Sequence, residues 1–207
     1  MPEPATFDDR DRTWMAQALA LGALAEGTTS PNPRVGCVLV RDDRVVGRGY
    51  HQAPGGPHAE VVAVRDAGAR SRGATLYVNL EPCGHHGRTP PCVELLLRSG
   101  VTRVVSSMQD PNPMVNGRGF VLLRKAGIRV DVGLMAREAE CLNEPFVHWH
   151  LHRRPLITIK AAVTMDGLLS ARDGMSRWIT SGAARRFAHR LRLRADAIAV
   201  GGGTVRR

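Results

Sequence analysis

The stretch that decides the fold runs from residue 58 to residue 92. It begins His58-Ala59-Glu60 and ends Glu81-Pro82-Cys83-Gly84-His85-His86-Gly87-Arg88-Thr89-Pro90-Pro91-Cys92. The histidine and the two cysteines supply one nitrogen and two sulfur ligands, the number that a catalytic zinc ion takes while it keeps a fourth position for water. Glu60 lies two residues after the histidine, where its carboxylate could hold that water and move its proton. We therefore predict a zinc site at His58, Cys83 and Cys92, with Glu60 as the proton carrier.

The spacing of the two cysteines differs from the usual pattern of a zinc deaminase. That pattern is His-x-Glu followed by Pro-Cys-x-x-Cys, with the glutamate as general acid and base and not as a ligand. Here the first half fits, but eight residues separate the cysteines instead of two. A longer loop beside the metal has room for His85, His86 and Arg88, whose donors suit a phosphate or a similar anion. The alternative is that these three side chains are exposed on a surface loop and bind nothing.

These motifs resemble the deaminase domain of the bifunctional deaminase/reductase of riboflavin biosynthesis. That family pairs His-Ala-Glu with Glu-Pro-Cys-x-His-His-Gly-Arg-Thr-Pro-Pro-Cys, and residues 58–60 and 81–92 match both motifs. The resemblance implies a cytidine-deaminase-like three-layer sandwich with a central mixed sheet. It also implies zinc-dependent hydrolytic deamination of 2,5-diamino-6-(5-phosphoribosylamino)pyrimidin-4(3H)-one to 5-amino-6-(5-phosphoribosylamino)uracil.

The resemblance carries a set of substrate contacts onto the deaminase part of the chain. In sequence order they are Asn32, His51, Ala59, His85, Arg88, Asp110 and Asn112. Asn32 stands between two prolines that restrict the backbone around its amide, although taken alone it could simply be a turn residue. His51 follows a predicted strand. Asp110 and Asn112 belong to an Asp-Pro/Asn-Pro sequence that is typical of a turn.

Charge favours an enzyme that acts on a small molecule. The chain has 207 residues and a net charge of +10. Residues 1–150 hold 17 basic and 16 acidic side chains, a net charge of +1, whereas residues 151–207 hold 12 and 3, a net charge of +9. A deaminase of nucleic acid would need basic groups around its own pocket, and here they lie elsewhere. We therefore expect no nucleic-acid partner, and the shift near residue 150 predicts a domain boundary.

Cysteine usage and the N-terminus favour a cytoplasmic protein. The first eleven residues are acidic and lack the apolar core of a secretory signal, and no apolar run is long enough to cross a membrane. Four cysteines in such a chain indicate metal binding and buried thiols before disulfides. We expect Cys37, in an apolar strand, and Cys141, in a helical pattern, to pack as small hydrophobic side chains. We also expect a homo-oligomer without a membrane partner.

The apolar pattern predicts an α/β fold for residues 1–150. Helices are expected over residues 8–27, 58–68, 92–99, 119–126 and 136–150, and strands over residues 35–40, 45–50, 75–80, 101–108 and 128–134. The first two strands form a hairpin at Asp42-Asp43. Strands that alternate with helices indicate a sheet with helices on its faces, and ligands bind beside such sheets where helices begin. The starts of the helices at residues 58 and 92 are therefore predicted to meet around one zinc ion.

A second pattern begins at Pro155 and resembles the opening of the same family's NADPH-dependent reductase domain. It predicts strands over residues 156–163 and 197–200, with a helix between them that ends near Arg194. The resemblance implies that residues 151–207 are the opening βαβ part of a dihydrofolate-reductase-like α/β domain. It implies NADPH contacts at Lys160, Ala162, Trp178 and Thr204, and reductase substrate contacts at Ser176 and Arg192. One helix and two strands are too few for a nucleotide-binding domain, so we expect this part to lack most of its cofactor and substrate contacts.

Two other functions fit part of the sequence. A nucleoside, free-base or tRNA deaminase would have the same zinc centre, but the eight-residue cysteine spacing and the near-neutral residues 1–150 speak against it. A structural zinc module with a basic, RNA-binding tail would be expected to supply a fourth protein ligand. No fourth ligand is obvious in the sequence, although Glu60, His85 or His86 could serve. Zinc content measured together with ammonia release distinguishes these functions.

Overall fold

The computed structural model describes residues 6–85, 90–170 and 178–206, and contacts divide the chain into two units, Met1–Pro155 and Leu156–Arg207. The first unit contains five strands: Gly36–Arg41 (β1), Arg44–Tyr50 (β2), Thr75–Val78 (β3), Arg103–Ser106 (β4) and Arg129–Val132 (β5). They form one sheet in the order β2-β1-β3-β4-β5. β1 is antiparallel to β2 and β3, whereas β3, β4 and β5 are parallel. The predicted central mixed sheet is therefore confirmed.

Helices cover both faces of this sheet. They are Asp9–Ala23 (α1), Ala59–Ala67 (α2), Cys92–Ser99 (α3), Arg118–Lys125 (α4), Ala136–Leu142 (α5) and Glu144–His152 (α6), with a short 3-10 helix at Gly68–Ser71. Successive side chains of a strand point to opposite faces, so β1 contributes to two cores. Cys37 and Leu39 pack with residues of α2, α3 and α4, whereas Val38 packs with Met15 of α1. The predicted three-layer sandwich is confirmed.

Two glycines of β2 allow α2 to lie directly against the strand. A Cβ atom at Gly47 would stand 2.3 Å from the carbonyl oxygen of Ala63, and one at Gly49 would stand 2.2 Å from that of Ala59. No side chain fits at such distances. A larger residue at either position would push α2, with His58 at its start, away from the sheet.

The single helix predicted over residues 136–150 is wrong, because the chain forms two helices with a break at Asn143. The Asn143 side chain forms two hydrogen bonds with the backbone of Arg34. Oδ1 accepts from the N–H at 2.7 Å, and Nδ2 donates to the carbonyl oxygen at 3.1 Å. Pro145 lies in the first turn of α6 and has no N–H with which to continue α5. A long-range contact and a proline thus end a helix that the apolar pattern continues.

The two structural cysteines have different environments. Cys37 is buried, as predicted, but the prediction of a packed thiol is wrong for Cys141, which is exposed. α5 buries Ala139, and a residue two positions later points to the opposite side of a helix.

A buried ionic network fastens α1 to the sheet. Asp11 accepts two hydrogen bonds from Arg103, at 2.8 and 3.0 Å, and one from the hydroxyl group of Tyr77 at 2.7 Å. Arg103 also donates to Asp131 at 2.7 Å, so one guanidinium faces two carboxylates. Burial raises the pKa of Asp11, but the bonds from Arg103 and Tyr77 outweigh burial and hold the pKa below its ordinary value.

We predict that Asp11→Asn lowers the free energy of unfolding by about 1–3 kcal/mol at neutral pH, because an amide cannot accept all three bonds. A carboxyl group whose pKa is lowered by folding stabilises the fold above its unfolded pKa, and this stability is lost as the pH falls through the folded pKa. The wild type should therefore lose stability below about pH 4, and Asp11→Asn should lose less. Urea unfolding at several pH values measures both effects, with the exposed Asp9 changed to Asn as the control. Equal effects of the two substitutions would contradict the prediction.

The described residues of the second unit contain one long helix. Gly182–Arg192 (α7) begins after Ser181, whose hydroxyl oxygen accepts a bond from the N–H of Ala184, and Gly202–Val205 (α8) is a single turn. The predicted helix is confirmed, but the predicted strands over residues 156–163 and 197–200 are wrong. Neither segment pairs with a strand in the described chain, and an extended segment joins a sheet only through hydrogen bonds to a neighbour. Across the described ranges, no helix has the length and apolar character that a membrane span requires.

Candidate metal centre

Three nitrogen and sulfur side chains meet at one edge of the sheet. His58 is the N-cap residue of α2, Cys83 lies in the loop after β3, and Cys92 is the first residue of α3. Nδ1 of His58 lies 3.2 Å from Sγ of Cys92 and 3.6 Å from Sγ of Cys83. The three ligand atoms all lie within 4.8 Å of one another. The two helix starts therefore meet, as the sequence predicts.

The spacing of these atoms fits zinc. A tetrahedral zinc ion holds nitrogen and sulfur ligands at about 2.0–2.3 Å, which places neighbouring ligand atoms roughly 3.5 Å apart. The two nitrogen–sulfur distances, 3.2 and 3.6 Å, lie on either side of this value. Among the residues that the structure describes, no fourth His, Cys, Asp or Glu belongs to the cluster. Three protein ligands are typical of a catalytic zinc site, whereas structural sites use four.

The pKa values of these side chains are shifted by their mutual contacts, and the lowered pKa of Cys83 favours binding of a cation. The hydrogen bond from the Cys92 thiol lowers the pKa of Cys83, and the bond with His58 lowers it further. A lowered pKa favours the thiolate, the form of cysteine that binds metals. The bond with Cys83 raises the pKa of both Cys92 and His58. A metal ion would displace those protons, because it binds thiolates and neutral imidazole.

Glu60 lies beside the three ligands in the first turn of α2. The residue is only 3% exposed, and its carboxylate lies within hydrogen-bonding distance of Sγ of Cys92. Burial raises the pKa of the carboxyl group, and the nearby Cys83 thiolate raises it further. The structure thus brings the predicted proton carrier to the predicted ligands, at a helix end whose dipole favours negative charge.

Asn32 and His51 form a hydrogen-bonded chain next to His58. Nδ1 of His51 lies 3.1 Å from the carbonyl oxygen of Pro57, and its Nε2 lies 3.0 Å from Nδ2 of Asn32. Because a carbonyl oxygen only accepts, Nδ1 carries the ring proton and Nε2 accepts the bond from Asn32. Burial lowers the pKa of His51, which favours this neutral ring. The ring centroids of His51 and His58 are 5.6 Å apart, so the ring that orients the Asn32 amide packs against a proposed zinc ligand.

The loop after β4 approaches the centre through Asp110. The residue is buried, its Oδ1 accepts the N–H of Asn112 at 2.8 Å, and Oδ1 of Asn112 accepts that of Met114 at 3.1 Å. These bonds confirm the predicted turn. Burial raises the pKa of Asp110 to about 6 against the opposing Asn112 bond, and the charges of Glu81 and Cys83 contribute to the rise. β3 and β4 are parallel neighbours, so the loops that follow them lie at the same edge of the sheet.

The remaining predicted deaminase contacts lie on two segments. Ala59 is fully buried in the first turn of α2. His85 is half-buried, and its Nδ1 atom has no hydrogen-bond partner in the part of the chain that the structure describes. His86 and Arg88 lie outside the described residues.

The predicted reductase contacts lie on separate segments of the second unit. Lys160 is exposed and Ala162 is half-buried in the segment before α7. Trp178 is exposed, and the guanidinium carbon of Arg185 lies 4.1 Å from the centre of its ring. Arg192 and Thr204 are exposed on α7 and α8, and Ser176 lies outside the described residues.

Three residues that hold the site together are not among those predicted from the sequence. The buried carboxylate of Glu81 accepts three backbone hydrogen bonds from the segment after β4. The fully buried Asn79 donates to the carbonyl oxygen of Arg34 at 2.9 Å, and Asn143 bonds to the same residue. The two amides therefore hold the end of the loop that carries Asn32. For Asn79, the sequence does contain a signal, because a polar residue inside an apolar strand pattern is unusual.

Two families of known proteins match the chain. Residues 8–108 match the cytidine and deoxycytidylate deaminase zinc-binding region, and residues 155–207 match the RibD C-terminal domain. The first match agrees with the mixed sheet and the His-Cys-Cys cluster. The fold and the site thus define a zinc-binding domain of the cytidine deaminase class.

Individual proteins that the chain resembles narrow this class. Riboflavin biosynthesis protein RibD of Escherichia coli is 52% identical over 196 residues, which cover 95% of this chain and 53% of the relative. RibD of Aquifex aeolicus is 51% identical over 195 residues, which cover 94% and 55%. A crystal structure from Thermotoga maritima, described as a diaminohydroxyphosphoribosylaminopyrimidine deaminase/5-amino-6-(5-phosphoribosylamino)uracil reductase, matches with a TM-score of 0.91 and 41% identity, covering 96% of this chain and 57% of that one. This chain is similar to RibD proteins over nearly its whole length, and it spans about half the length of the curated relatives it matches.

Proposed function

We propose that this chain catalyses the hydrolytic deamination of 2,5-diamino-6-(5-phosphoribosylamino)pyrimidin-4(3H)-one in riboflavin biosynthesis. The products are 5-amino-6-(5-phosphoribosylamino)uracil and ammonia. The observation that carries the proposal is the buried Glu60 carboxylate beside a His-Cys-Cys cluster with the spacing of zinc ligands. The names of the RibD relatives support the pathway, and the description of the Thermotoga maritima structure supports the substrate.

In this proposal, His58, Cys83 and Cys92 hold the zinc ion and Glu60 moves the protons. Zinc held there supplies Lewis-acid chemistry that allows water to lose a proton near neutral pH. Glu60 takes that proton as the water oxygen bonds to the ring carbon that carries the amino group, and delivers it to the adjacent ring nitrogen. The second proton of the water reaches the leaving amino group as the new carbon–oxygen bond becomes a carbonyl. The carbon–nitrogen bond breaks, and one water is consumed for each ammonia released.

The substrate is assigned to the loops around this centre. The hydrogen bond between Asn32 and His51 leaves the amide oxygen of Asn32 as an acceptor for a donor on the substrate. Ala59, Asp110 and Asn112 complete the proposed pyrimidine contacts. The loop between the cysteines, with His85 and Arg88, is assigned to the ribose phosphate, because imidazole and guanidinium groups donate well to anionic oxygens.

The proposal extends to the rest of the chain. Residues 1–150 are assigned to the deaminase domain and residues 151–207 to the N-terminal part of an NADPH-dependent reductase domain, an assignment that the RibD C-terminal match supports. We place the enzyme in the cytoplasm, where thiols stay reduced and can bind zinc. A homo-oligomeric state and the lack of a nucleic-acid partner complete the proposal, and the near-neutral charge of residues 1–150 supports the second.

Ammonia release tests the proposed function. Zinc-loaded protein is incubated with the phosphoribosyl-diaminopyrimidine, its dephosphorylated form, cytidine and adenosine. We predict that loss of the phosphate lowers kcat/KM about tenfold to a hundredfold, because a hydrogen bond to a charged group contributes roughly 1.5–3 kcal/mol. A preference for cytidine or adenosine would instead support a nucleoside or tRNA deaminase. Zinc-loaded protein that releases no ammonia from any of the four compounds would support a structural module.

A further inference from the structure

Glu81 connects the cysteine-bearing loop after β3 to the loop after β4. The residue is only 4% exposed. Its Oε2 accepts the backbone N–H of Asp110 at 3.1 Å and that of Gly117 at 2.7 Å, and its Oε1 accepts the N–H of Gly119 at 2.8 Å. One side chain therefore holds both ends of the segment from residue 110 to residue 119.

The same carboxylate caps α4 from outside the helix. The N-cap residue of α4 is Gly117, which has no side chain with which to accept the free N–H groups of the first turn. Glu81 supplies that acceptor from another segment. A buried carboxylate is costly unless donors surround it, and here two backbone N–H groups at a helix start, together with the helix dipole, stabilise its charge.

The two segments also touch at Gly119. A Cβ atom at this position would stand 2.0 Å from the carbonyl oxygen of Pro82 and 3.1 Å from Oε1 of Glu81. A Cβ atom at Gly84 would stand 3.4 Å from the Cα of Gly119. No side chain fits at Gly119, so the two segments are in direct backbone contact there. Because packed groups cannot shift independently, a movement of one segment is transmitted to the other.

We propose that Glu81 is a positioning residue for substrate binding, an inference that rests on the proposed function. It holds the Asp110 backbone, and the Asp110 side chain holds the N–H of Asn112 at 2.8 Å. A continuous chain of hydrogen bonds thus fixes the proposed pyrimidine contacts relative to Cys83, two residues after Glu81. The backbone bonds occupy the Glu81 carboxylate, so it acts through Asp110 and Asn112 and not by touching substrate.

The Glu81→Gln variant tests this role with little change in side-chain size. It replaces one acceptor oxygen by an NH₂ group, which cannot accept from the backbone N–H that it faces. We predict that KM for the phosphoribosyl-diaminopyrimidine rises about tenfold to a hundredfold, because a small misplacement of binding groups has effects of this size. Zinc content should be unchanged and kcat should stay within about threefold. Glu138→Gln, on the exposed side of α5, is the control and should match the wild type.

A double-mutant cycle with Asn112→Ala separates positioning from a general loss of stability. If Glu81 acts through Asn112, the double variant should raise KM by less than the product of the two single effects. Multiplicative effects would overturn the proposal, as would loss of zinc or an unchanged KM in Glu81→Gln. Should Glu81→Gln not fold, Glu81→Asp takes its place in the cycle, because it keeps both oxygens on a shorter side chain.

Two further measurements distinguish this proposal from the proposed function. Wild-type protein that releases no ammonia would contradict the proposed function, whereas active wild type with an equally active Glu81→Gln would contradict only the role of Glu81. Amide hydrogen exchange at Gly117 and Gly119 needs no substrate and should be faster in Glu81→Gln, because their acceptor is weakened. Unchanged exchange at both glycines would overturn the proposal whatever the activity.

Discussion

Glu60→Gln should lower kcat for deamination by about 10²- to 10⁴-fold, the usual contribution of a positioned general acid and base. The amide has nearly the shape of the carboxyl group but cannot take up and release a proton. Because Glu60 is only 3% exposed, bulk water cannot replace it as the proton carrier. Zinc content should be unchanged, since Glu60 is not one of the three proposed ligands. Ammonia release and metal analysis on the same protein preparation measure both quantities.

Glu94→Gln is a matched control for this substitution. Glu94 lies in the first turn of α3, as Glu60 lies in the first turn of α2, but its carboxylate forms an ion pair with the exposed Arg98 at 3.1 Å. The control should retain nearly full activity, because an exposed pair contributes little. If Glu60→Gln and Glu94→Gln turn over at similar rates, the role proposed for Glu60 is wrong.

The second large effect is expected on metal binding. Cys83→Ser and Cys92→Ser should each lower zinc affinity by more than about 100-fold, because altering groups that merely support zinc ligands already costs 10- to 100-fold. A serine hydroxyl does not provide the thiolate that zinc prefers. We expect one zinc ion per chain in the wild type and little zinc in either variant after dialysis against a chelator.

Cys141→Ser is the control for loss of a thiol, because Cys141 is exposed and lies on α5. It should bind zinc like the wild type. Zinc should also raise the Tm of the wild type and of Cys141→Ser, since a ligand of the folded state stabilises it, but not that of the two site variants. Undiminished zinc content in both Cys83→Ser and Cys92→Ser would exclude these residues as ligands.

Much of the fold and the candidate site could be predicted from local patterns in the sequence. The apolar pattern of the first 150 residues indicated all five strands of the sheet. A strand buried on one face shows alternating apolar and polar residues, and a strand buried on both faces shows a short apolar run. The spacing His58-Ala59-Glu60 placed the proposed ligand and the proton carrier at one helix start, where they lie. The cysteine spacing distinguished the loop between Cys83 and Cys92 from the short turn of other zinc deaminases. Each of these properties depends on residues that are close in sequence.

Other features were decided only by the tertiary structure. The break at Asn143 depends on the backbone of Arg34, and the role of Glu81 depends on N–H groups at residues 110, 117 and 119. Residues 156–163 and 197–200 have the apolar pattern of strands, yet neither has a strand partner within the described ranges. By itself the sequence determined the type of most elements and which side chains can bind zinc, because these follow from local chemistry. Which backbone groups a buried amide or carboxylate meets was decided by the order of the strands, since segments far apart in sequence become neighbours only when the sheet has formed.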